Sequence, residues 1–322
     1  MAFSKNQAFG VTMFPTDYSI QPVELAKAVE ERDLDSLFFP EHTHIPASRA
    51  TPFPGGGDLP KMYWHTHDPF VALGACAAVT SKIKLGTGIC LVIERDPITL
   101  AKEIASVDMI SNGRFILGIG AGWNREEMEN HGANYPRRWA ELREKILAMK
   151  AIWTQEEAEY HGEFVNFDAI WSYPKPVQEG GPPIWIGGQG EQAVRRAARL
   201  SDAWYAPPFV THKGMVRLGN IFLEESATYG MPLNGDFPLR RELMIAPSTK
   251  KARQMALKWS EARYKTYLKW GLGKKLDRDT AGFGSQEQEA IDSRFILGTA
   301  DICAEKIKEM QVNLGMTHFM YK

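Results

Sequence analysis

The sequence has few cysteines, and they lie far apart. Cys76, Cys90 and Cys303 are the three cysteines in 322 residues, and none belongs to a Cys-x-x-Cys pair. An odd number of isolated cysteines indicates neither a disulfide framework nor a thiolate zinc site. We therefore expect three buried thiols in a reducing compartment.

The chain also lacks a long apolar run and an excess of charge of one sign. No segment approaches the ~18 consecutive apolar residues of a membrane span, and the start, MAFSKNQAFGVTMF, lacks the apolar core of a signal peptide. The 38 Lys and Arg residues balance 39 Asp and Glu residues, so no basic surface for nucleic acid is indicated. These absences predict a cytoplasmic protein that binds neither membrane nor nucleic acid.

What the chain has is a regular alternation of strands and helices, clearest between Lys84 and Trp123. A β-rich run leads into a helix that opens at Asp96-Pro97 and stops at Asn112-Gly113, and Phe115 to Ile119 forms the next strand. Asp is a good N-cap, Pro suits the first helical position, and Asn-Gly permits the left-handed stop. A strand–helix–strand unit predicts two parallel strands with a right-handed crossover.

Eight strands alternating with helices predict a TIM (β/α)8 barrel, formed as a single domain over residues 1–322. Three insertions are expected in it, at about 47–64, 157–176 and 271–292, the second as a surface hairpin and the third as a lid loop. The predicted strands are Phe9–Phe14, Ser36–Phe39, 85–93, Phe115–Ile119, Pro183–Ile186, Ala203–Ala206, Leu239–Ala246 and Thr317–Tyr321.

Several motifs in fixed order carry a family resemblance: LGTG, then DP.TLAKE.A..D..S.GR, then LG.G.GW..EE. This wording resembles the bacterial luciferase-like superfamily of flavin and deazaflavin oxidoreductases. The segments W.....E.HGEFV.F and PKPVQ..GPPIWIGG are similar to its actinobacterial, deazaflavin-dependent subgroup. The resemblance implies hydride transfer between coenzyme F420 and a small organic substrate. The alternative is an FMN-dependent two-component monooxygenase that uses O2 and a partner flavin reductase.

Candidate reacting groups lie at the carboxyl ends of the predicted strands, where TIM barrels place them. The second strand ends at Glu41-His42, which the resemblance aligns with a Glu-His pair of luciferase whose histidine is catalytic. An imidazole, with its ordinary pKa near 6.5, suits general acid or base work. We predict that His42 and Glu41 are catalytic, and that His44 and Trp64 contact substrate.

The cofactor is expected at glycine-rich strand ends. Gly187-Gly188-Gln189-Gly190 lies between a strand and a helix, where free N–H groups favour a phosphate, and family members use a hydroxyl or amide side chain at the position of Gln189. The resemblance implies a non-prolyl cis peptide at Gly88-Ile89 against the cofactor ring. It also places Ala121 and Asn124 at the cofactor, Ala121 standing where the luciferase α chain has a phosphate-binding arginine.

Two other classes remain open on the sequence. The His42-Thr-His44 and His65-Thr-His67 motifs also occur in metal-dependent hydrolases built on barrels, but the further ligands at later strand ends are missing, and we predict no metal. A flavin-binding barrel without activity is the other class, and the Glu41-His42 pair argues against it.

The last predicted strand leads to an expectation about assembly. Phe319 and Tyr321 alternate with Met320, and one residue follows the strand, so an apolar face would meet water unless it is covered. We expect a second copy of the chain to cover it and predict a homodimer.

Overall fold

This computed structural model describes residues 7–53, 58–208, 210–230, 236–258 and 295–321. Over these residues the strands are, in chain order, β1 (Ala8–Thr12), β2 (Ser36–Phe39), β3 (Lys84–Thr87), β4 (Cys90–Leu91), β5 (Phe115–Gly120), β6 (Ala158–His161), β7 (Asn166–Ile170), β8 (Ile184–Gly187), β9 (Ala203–Tyr205), β10 (Pro238–Ile245), β11 (Phe295–Gly298) and β12 (His318–Tyr321). The helices are α1 (Pro22–Glu30), α2 (Pro69–Val79), α3 (Pro97–Ser111), α4 (Arg125–Asn130), α5 (Arg138–Thr154), α6 (Glu191–Leu200), α7 (His212–Thr228) and α8 (Ala300–Leu314), and residues 249–258 are also helical.

The chain divides into two compact units. The N-terminal unit consists of Val11–Pro52 and Pro60–Trp185, and the C-terminal unit of Met1–Gly10, Phe53–Leu59 and Ile186–Lys322. The predicted loop at 271–292 lies outside the described residues.

Helix ends in the N-terminal unit are set by local chemistry, as predicted. The Asp68 carboxylate accepts the N–H groups of Phe70 and Val71 and so caps α2. Asp96 caps α3 by accepting the Thr99 N–H at 2.8 Å, and Asn112 ends that helix in the left-handed conformation with φ 56°. Each cap fixes the residue at which its helix begins or ends, because it satisfies backbone groups that would otherwise lack hydrogen-bond partners.

Strands β2, β3 and β5 pair side by side in parallel, with Phe38 opposite Gly86 and Leu85 opposite Phe115. All four residues are buried in the unit. A Cβ added at Gly86 would lie 2.4 Å from the Phe38 ring and 2.8 Å from the carbonyl oxygen of Ile116. Glycine is therefore required there by the close approach of two neighbouring strands.

The prediction of one continuous strand over 85–93 is wrong. β3 pairs with the first half of β5 and β4 with its second half, and the chain then forms a 3-10 turn over Val92–Glu94. At the break, the Thr87 hydroxyl donates to the Gly118 carbonyl oxygen at 2.7 Å. A side-chain hydrogen bond thus takes the place of a backbone hydrogen bond between the strands at this point, and β3 and β4 are separate strands.

The hairpin predicted within 157–176 is present as the antiparallel pair β6 and β7. Its turn is attached to α5 by the Glu144 carboxylate, which accepts the N–H groups of Glu163, Phe164 and Val165 at 3.1, 2.7 and 3.1 Å. One side chain of the preceding helix therefore satisfies three donors of the turn.

In the C-terminal unit, β10 pairs in parallel with two strands. Its first half pairs with β12 and its second half with β11. Strand β11 was missed by sequence reasoning, although Phe295 begins the same tetrapeptide, Phe-Ile-Leu-Gly, as Phe115 at the start of β5. The repeated apolar tetrapeptide was the available indication of this strand.

The expectation of an exposed apolar face on the last strand is wrong. In β12, Phe319 is 1% exposed and Met320 is fully buried within the single chain. Phe9 stacks on Phe319 and Tyr321 with ring centroids 6.4 and 6.3 Å apart, so the start of the chain covers this strand. The reason for expecting a dimer is removed, and the dimer stays a prediction.

All three cysteines are free and buried. In the described part of the chain, no helix combines the length and the apolar character needed to cross a membrane.

Candidate functional site

His42 follows β2 and is the centre of a buried polar group in the N-terminal unit. Its side chain is largely buried, the whole residue being 8% exposed. Its Nδ1 lies 2.9 and 2.8 Å from the two carboxylate oxygens of Glu127, which is itself fully buried. Glu127 lies in the first turn of α4, and the side chain of Asn124 caps that helix by accepting the Glu127 N–H at 3.3 Å. The cap and the strand end together position the two partners.

The contact with Glu127 assigns the tautomer of His42. A carboxylate only accepts hydrogen bonds, so Nδ1 carries the proton and donates it to Glu127. Among the described residues, none forms a hydrogen bond with the other ring nitrogen, Nε2. Nε2 is therefore the nitrogen that can exchange a proton with a bound molecule, while Glu127 fixes the ring and compensates its positive charge when it forms.

Sequence reasoning missed Glu127. The GW..EE run that contains it carried the family resemblance, but no role was assigned to its second acidic residue. Glu127 is 85 residues from His42 along the chain, and only the fold brings the two together.

Glu41, predicted to act with His42, is not the carboxylate that binds it. The Glu41 side chain accepts the Leu91 N–H at 2.6 Å and the Arg95 Nε–H at 2.6 Å. Arg95 also pairs with Asp68 and with Glu103. The structure thus places Glu41 in a buried ion-pair network that ties the end of β2 to the turn after β4.

Aromatic rings surround the imidazole of His42. The Tyr63 ring centroid is 5.1 Å from that of His42, and the Trp123 centroid is 5.9 Å away. Trp64, predicted to contact substrate, is 48% exposed and its ring neighbours His65. Tyr63, which sequence reasoning did not name, takes the place beside His42.

His44, the other predicted substrate residue, belongs to a polar chain near the surface. Its Nδ1 is 2.9 Å from the Thr43 hydroxyl and its Nε2 is 2.8 Å from the Asn130 amide nitrogen. The same Thr43 hydroxyl lies 2.7 Å from Nε2 of His131. His44 is therefore held by protein groups on both ring nitrogens.

The Gly88–Ile89 peptide bond is cis, as the resemblance implied. The Ile89 carbonyl accepts the Glu41 N–H at 3.2 Å. The Ile89 side chain lies against Gly120, where an added Cβ would be 2.2 Å from Cδ1. Ala121, which follows, is buried. The contact shown for Asn124 is the helix cap described above.

In the C-terminal unit, the predicted loop Gly187–Gly190 connects β8 to α6. The Gly188 carbonyl accepts the Trp204 Nε1–H at 2.9 Å, and Gly190 stands at the N-cap of α6 with φ 87°. Among the residues that the structure describes, no side chain caps this ten-residue helix and none comes within 4 Å of a Cβ built on Gly190, while Gln189 is exposed. Uncapped N–H groups at a helix start, with an amide side chain beside them, fit a phosphate group.

The two His-Thr-His motifs do not converge on one point. His42 bonds Glu127, while His65 lies 2.9 Å from Asp17 on the surface. Across the described ranges, no group of three or more His, Cys, Asp or Glu side chains is arranged to hold a metal ion.

Known proteins of similar sequence include the following two relatives. Over 204 residues, 62% of this chain and 72% of the relative, it is 46% identical to the protein Rv0953c of Mycobacterium tuberculosis. It is 26% identical to the F420-dependent glucose-6-phosphate dehydrogenase of Nakamurella multipartita over 314 residues, 92% of this chain and 85% of that enzyme.

A solved structure shows the same fold. The oxygenating constituent of 3,6-diketocamphane monooxygenase from Pseudomonas putida, in complex with FMN, superposes with a TM-score of 0.78 at 18% identity, over 98% of this chain and 91% of that one. This likeness confirms the predicted luciferase-like α/β barrel fold. Residues 15–318 match the family described as luciferase-like monooxygenase. That match covers more than nine-tenths of the sequence, so this chain belongs to the luciferase-like monooxygenase family of oxidoreductases.

Proposed function

We propose that this chain transfers hydride between coenzyme F420 and a small organic substrate, and that His42 exchanges a proton with that substrate. The observation that carries the proposal is the buried imidazole of His42, bound by Glu127 on Nδ1 and free of protein partners on Nε2 within the described residues. A histidine that exchanges a proton with a substrate needs one ring nitrogen held by the protein and the other available to the substrate.

The choice of F420 is supported by the F420-dependent relative, which aligns with 92% of this chain. The segments that resemble the deazaflavin-dependent subgroup point the same way. When bound, the cofactor would supply the hydride chemistry, and the protein would supply position and charge. We assign its phosphate to the loop Gly187–Gly190 of the C-terminal unit.

The residues around His42 have separate tasks in this proposal. Nε2 of His42 gives a proton to, or takes one from, the substrate atom whose charge changes during the redox step. Glu127 holds the ring in the required tautomer. Tyr63 and Trp123, whose rings pack on His42, limit the access of water to it.

FMN is the alternative cofactor, in a two-component monooxygenase supplied by a flavin reductase. The family description names monooxygenases, and the structurally similar diketocamphane enzyme holds FMN. Equilibrium binding of F420 and of FMN, oxidised and reduced, to the purified protein tests the choice. Tighter binding of F420 is expected. Tight binding of FMN with none of F420 would replace the proposal with the alternative.

A further inference from the structure

A second carboxyl group near His42 has no assigned partner. Glu94 ends the 3-10 turn after β4, and its side chain is fully buried. Neither of its carboxyl oxygens has a hydrogen-bond partner among the described residues. Buried polar groups without partners are rare in folded proteins, and a buried carboxylate without one is costly.

The charged groups around Glu94 are already paired with one another. Glu41 pairs with Arg95 at 2.5 Å, and Glu141 pairs with Lys145 at 3.0 Å. Glu127 pairs with the His42 imidazole at 2.8 Å. The remaining donors of Lys145 bind the carbonyl oxygens of Ile93 and Arg95. Among the described residues, the His131 imidazole is the one basic group within 4.0 Å of Glu94, at 3.9 Å.

Glu94 is therefore expected to hold a proton. Burial raises its pKa to about 9, and the charges of Glu127 and Glu41 act in the same direction against the attraction of Arg95 and Lys145. The four charged groups that influence it come from the end of β2, the turn after β4, and helices α4 and α5.

His131 neighbours both Glu94 and an exposed hydroxyl, although its distance to Glu94 exceeds that of a hydrogen bond. Oε2 of Glu94 lies 3.9 Å from Nε2 of His131, which the exposed Thr43 hydroxyl also contacts at 2.7 Å. Burial and the neighbouring charge of His44 lower the pKa of His131, so its imidazole is neutral at neutral pH and can accept a proton. A proton leaving Glu94 would bind Nε2 of His131, and Nδ1 would release one to water, with no transfer of electrons.

We propose that Glu94 is a positioning residue, a neutral carboxylic acid that leaves the Glu127 carboxylate with His42 as its one partner, and that exchanges its proton with solvent through His131. Loss of that proton would place a second negative charge beside the Glu127–His42 pair and change the proton affinity of His42. The effect on turnover rests on the proposed function, whereas the protonation state of Glu94 does not.

Infrared spectroscopy of the full-length protein tests the protonation state without cofactor or substrate. We expect a protonated-carboxyl stretching band at pH 7 that is lost in Glu94→Gln and disappears from the wild type above pH 9. Glu157→Gln, which changes an exposed carboxylate, is the matched control and should keep the band. A wild-type protein without any protonated carboxyl at pH 7 would overturn the proposal, whether or not the Gln variant folds.

The link to His42 is tested by NMR with 15N-labelled histidine. In the wild type, the His42 ring signals should shift at alkaline pH as Glu94 ionises, and this alkaline shift should be lost in Glu94→Gln. In the loaded enzyme the alkaline inflection of the pH–rate profile should be lost as well. A wild type without the alkaline shift would refute the coupling. Normal turnover of His42→Ala would refute the proposed function but leave the infrared and NMR results standing.

Discussion

The side chain of His42 is held by a carboxylate on one nitrogen and left open on the other, and this asymmetry determines what single substitutions should do. Glu127 binds the His42 imidazole, and Glu41 binds the backbone N–H of Leu91. Glu94, the proposed neutral acid, determines the charge near His42. Three glutamates in one buried region should therefore give three different phenotypes.

His42→Ala removes the proposed proton-transfer group. We expect turnover to fall about 10²–10⁴-fold with little change in the cofactor dissociation constant, since such groups typically contribute that much to rate. Glu127→Gln should give a smaller loss of turnover, because the ring remains but its orientation is no longer enforced. His161→Ala, on the exposed hairpin, is the control. Steady-state rates and cofactor titrations of both variants check these expectations. Unchanged turnover of His42→Ala would exclude the role assigned to His42.

Glu41→Gln should act on stability. The substitution breaks a buried ion pair, a change that costs up to about 3–5 kcal/mol, and Asp68 and Glu103 reduce the cost by still pairing with Arg95. Urea unfolding measures the loss. A stable Glu41→Gln protein with strongly reduced turnover would instead return Glu41 to the catalytic role that the sequence predicted.

The raised pKa of Glu94 predicts the pH dependence of stability. Between the ordinary glutamate pKa of 4.5 and about 9, the folded state binds more protons at this group than the unfolded state. Its contribution to the free energy of unfolding therefore falls as pH rises, by up to about 1.4 kcal/mol per pH unit. Glu94→Gln removes this slope, so unfolding at pH 5.5 and 8.5 should show the variant gaining on the wild type. A constant difference would contradict the shift.

At the scale of elements, the start of α6 is the part of the C-terminal unit that we assign to the cofactor phosphate. A bulky residue at Gly188 is a poor probe of this site, because a Cβ there would lie 2.8 Å from that of Ala193. Such a variant would strain the packing of α6, so its cofactor affinity would reflect folding as well as binding.

Gln189→Ala is the cleaner substitution, because Gln189 is exposed. We expect the cofactor to bind about tenfold more weakly or worse, the effect of losing one hydrogen bond to a charged group. Gln155→Ala, another exposed glutamine, should leave binding unchanged. Equal affinities of the two variants would remove Gln189 from the site.

Elements were predictable where neighbouring residues decide them. Asp68, Asp96 and Asn112 set helix ends through contacts within a few residues, and such contacts are visible in sequence. The pairing of His42 with Glu127 depends on the end of β2 meeting the first turn of α4, which no local pattern specifies. The turn at residues 61–63 decides that Tyr63 rather than Trp64 packs on His42, and that turn lies in an insertion without a recognisable motif.

At the scale of the whole molecule, family membership and barrel fold follow from motifs spread along nearly the entire chain. The single-domain organisation and the homodimer remain proposals. The argument from β12 no longer supports a dimer, since Phe9 covers that strand within one chain.

Light scattering over a dilution series tests the assembly. We expect a mass near twice 36.2 kDa that falls only at high dilution. A mass of one chain at every concentration would refute the dimer and agree with the buried state of Phe319 and Met320.

The Glu144 carboxylate binds the backbone of the hairpin turn, beside the Arg137–Glu163 ion pair, and this has a consequence for local opening of the turn. Three consecutive amide hydrogens share the two oxygens of Glu144, so they should exchange with deuterated solvent as one unit. Replacing Glu144 with alanine should raise all three exchange rates together while the slowest amides of the barrel stay protected. The tip of the hairpin would then be a cleavage site for proteases.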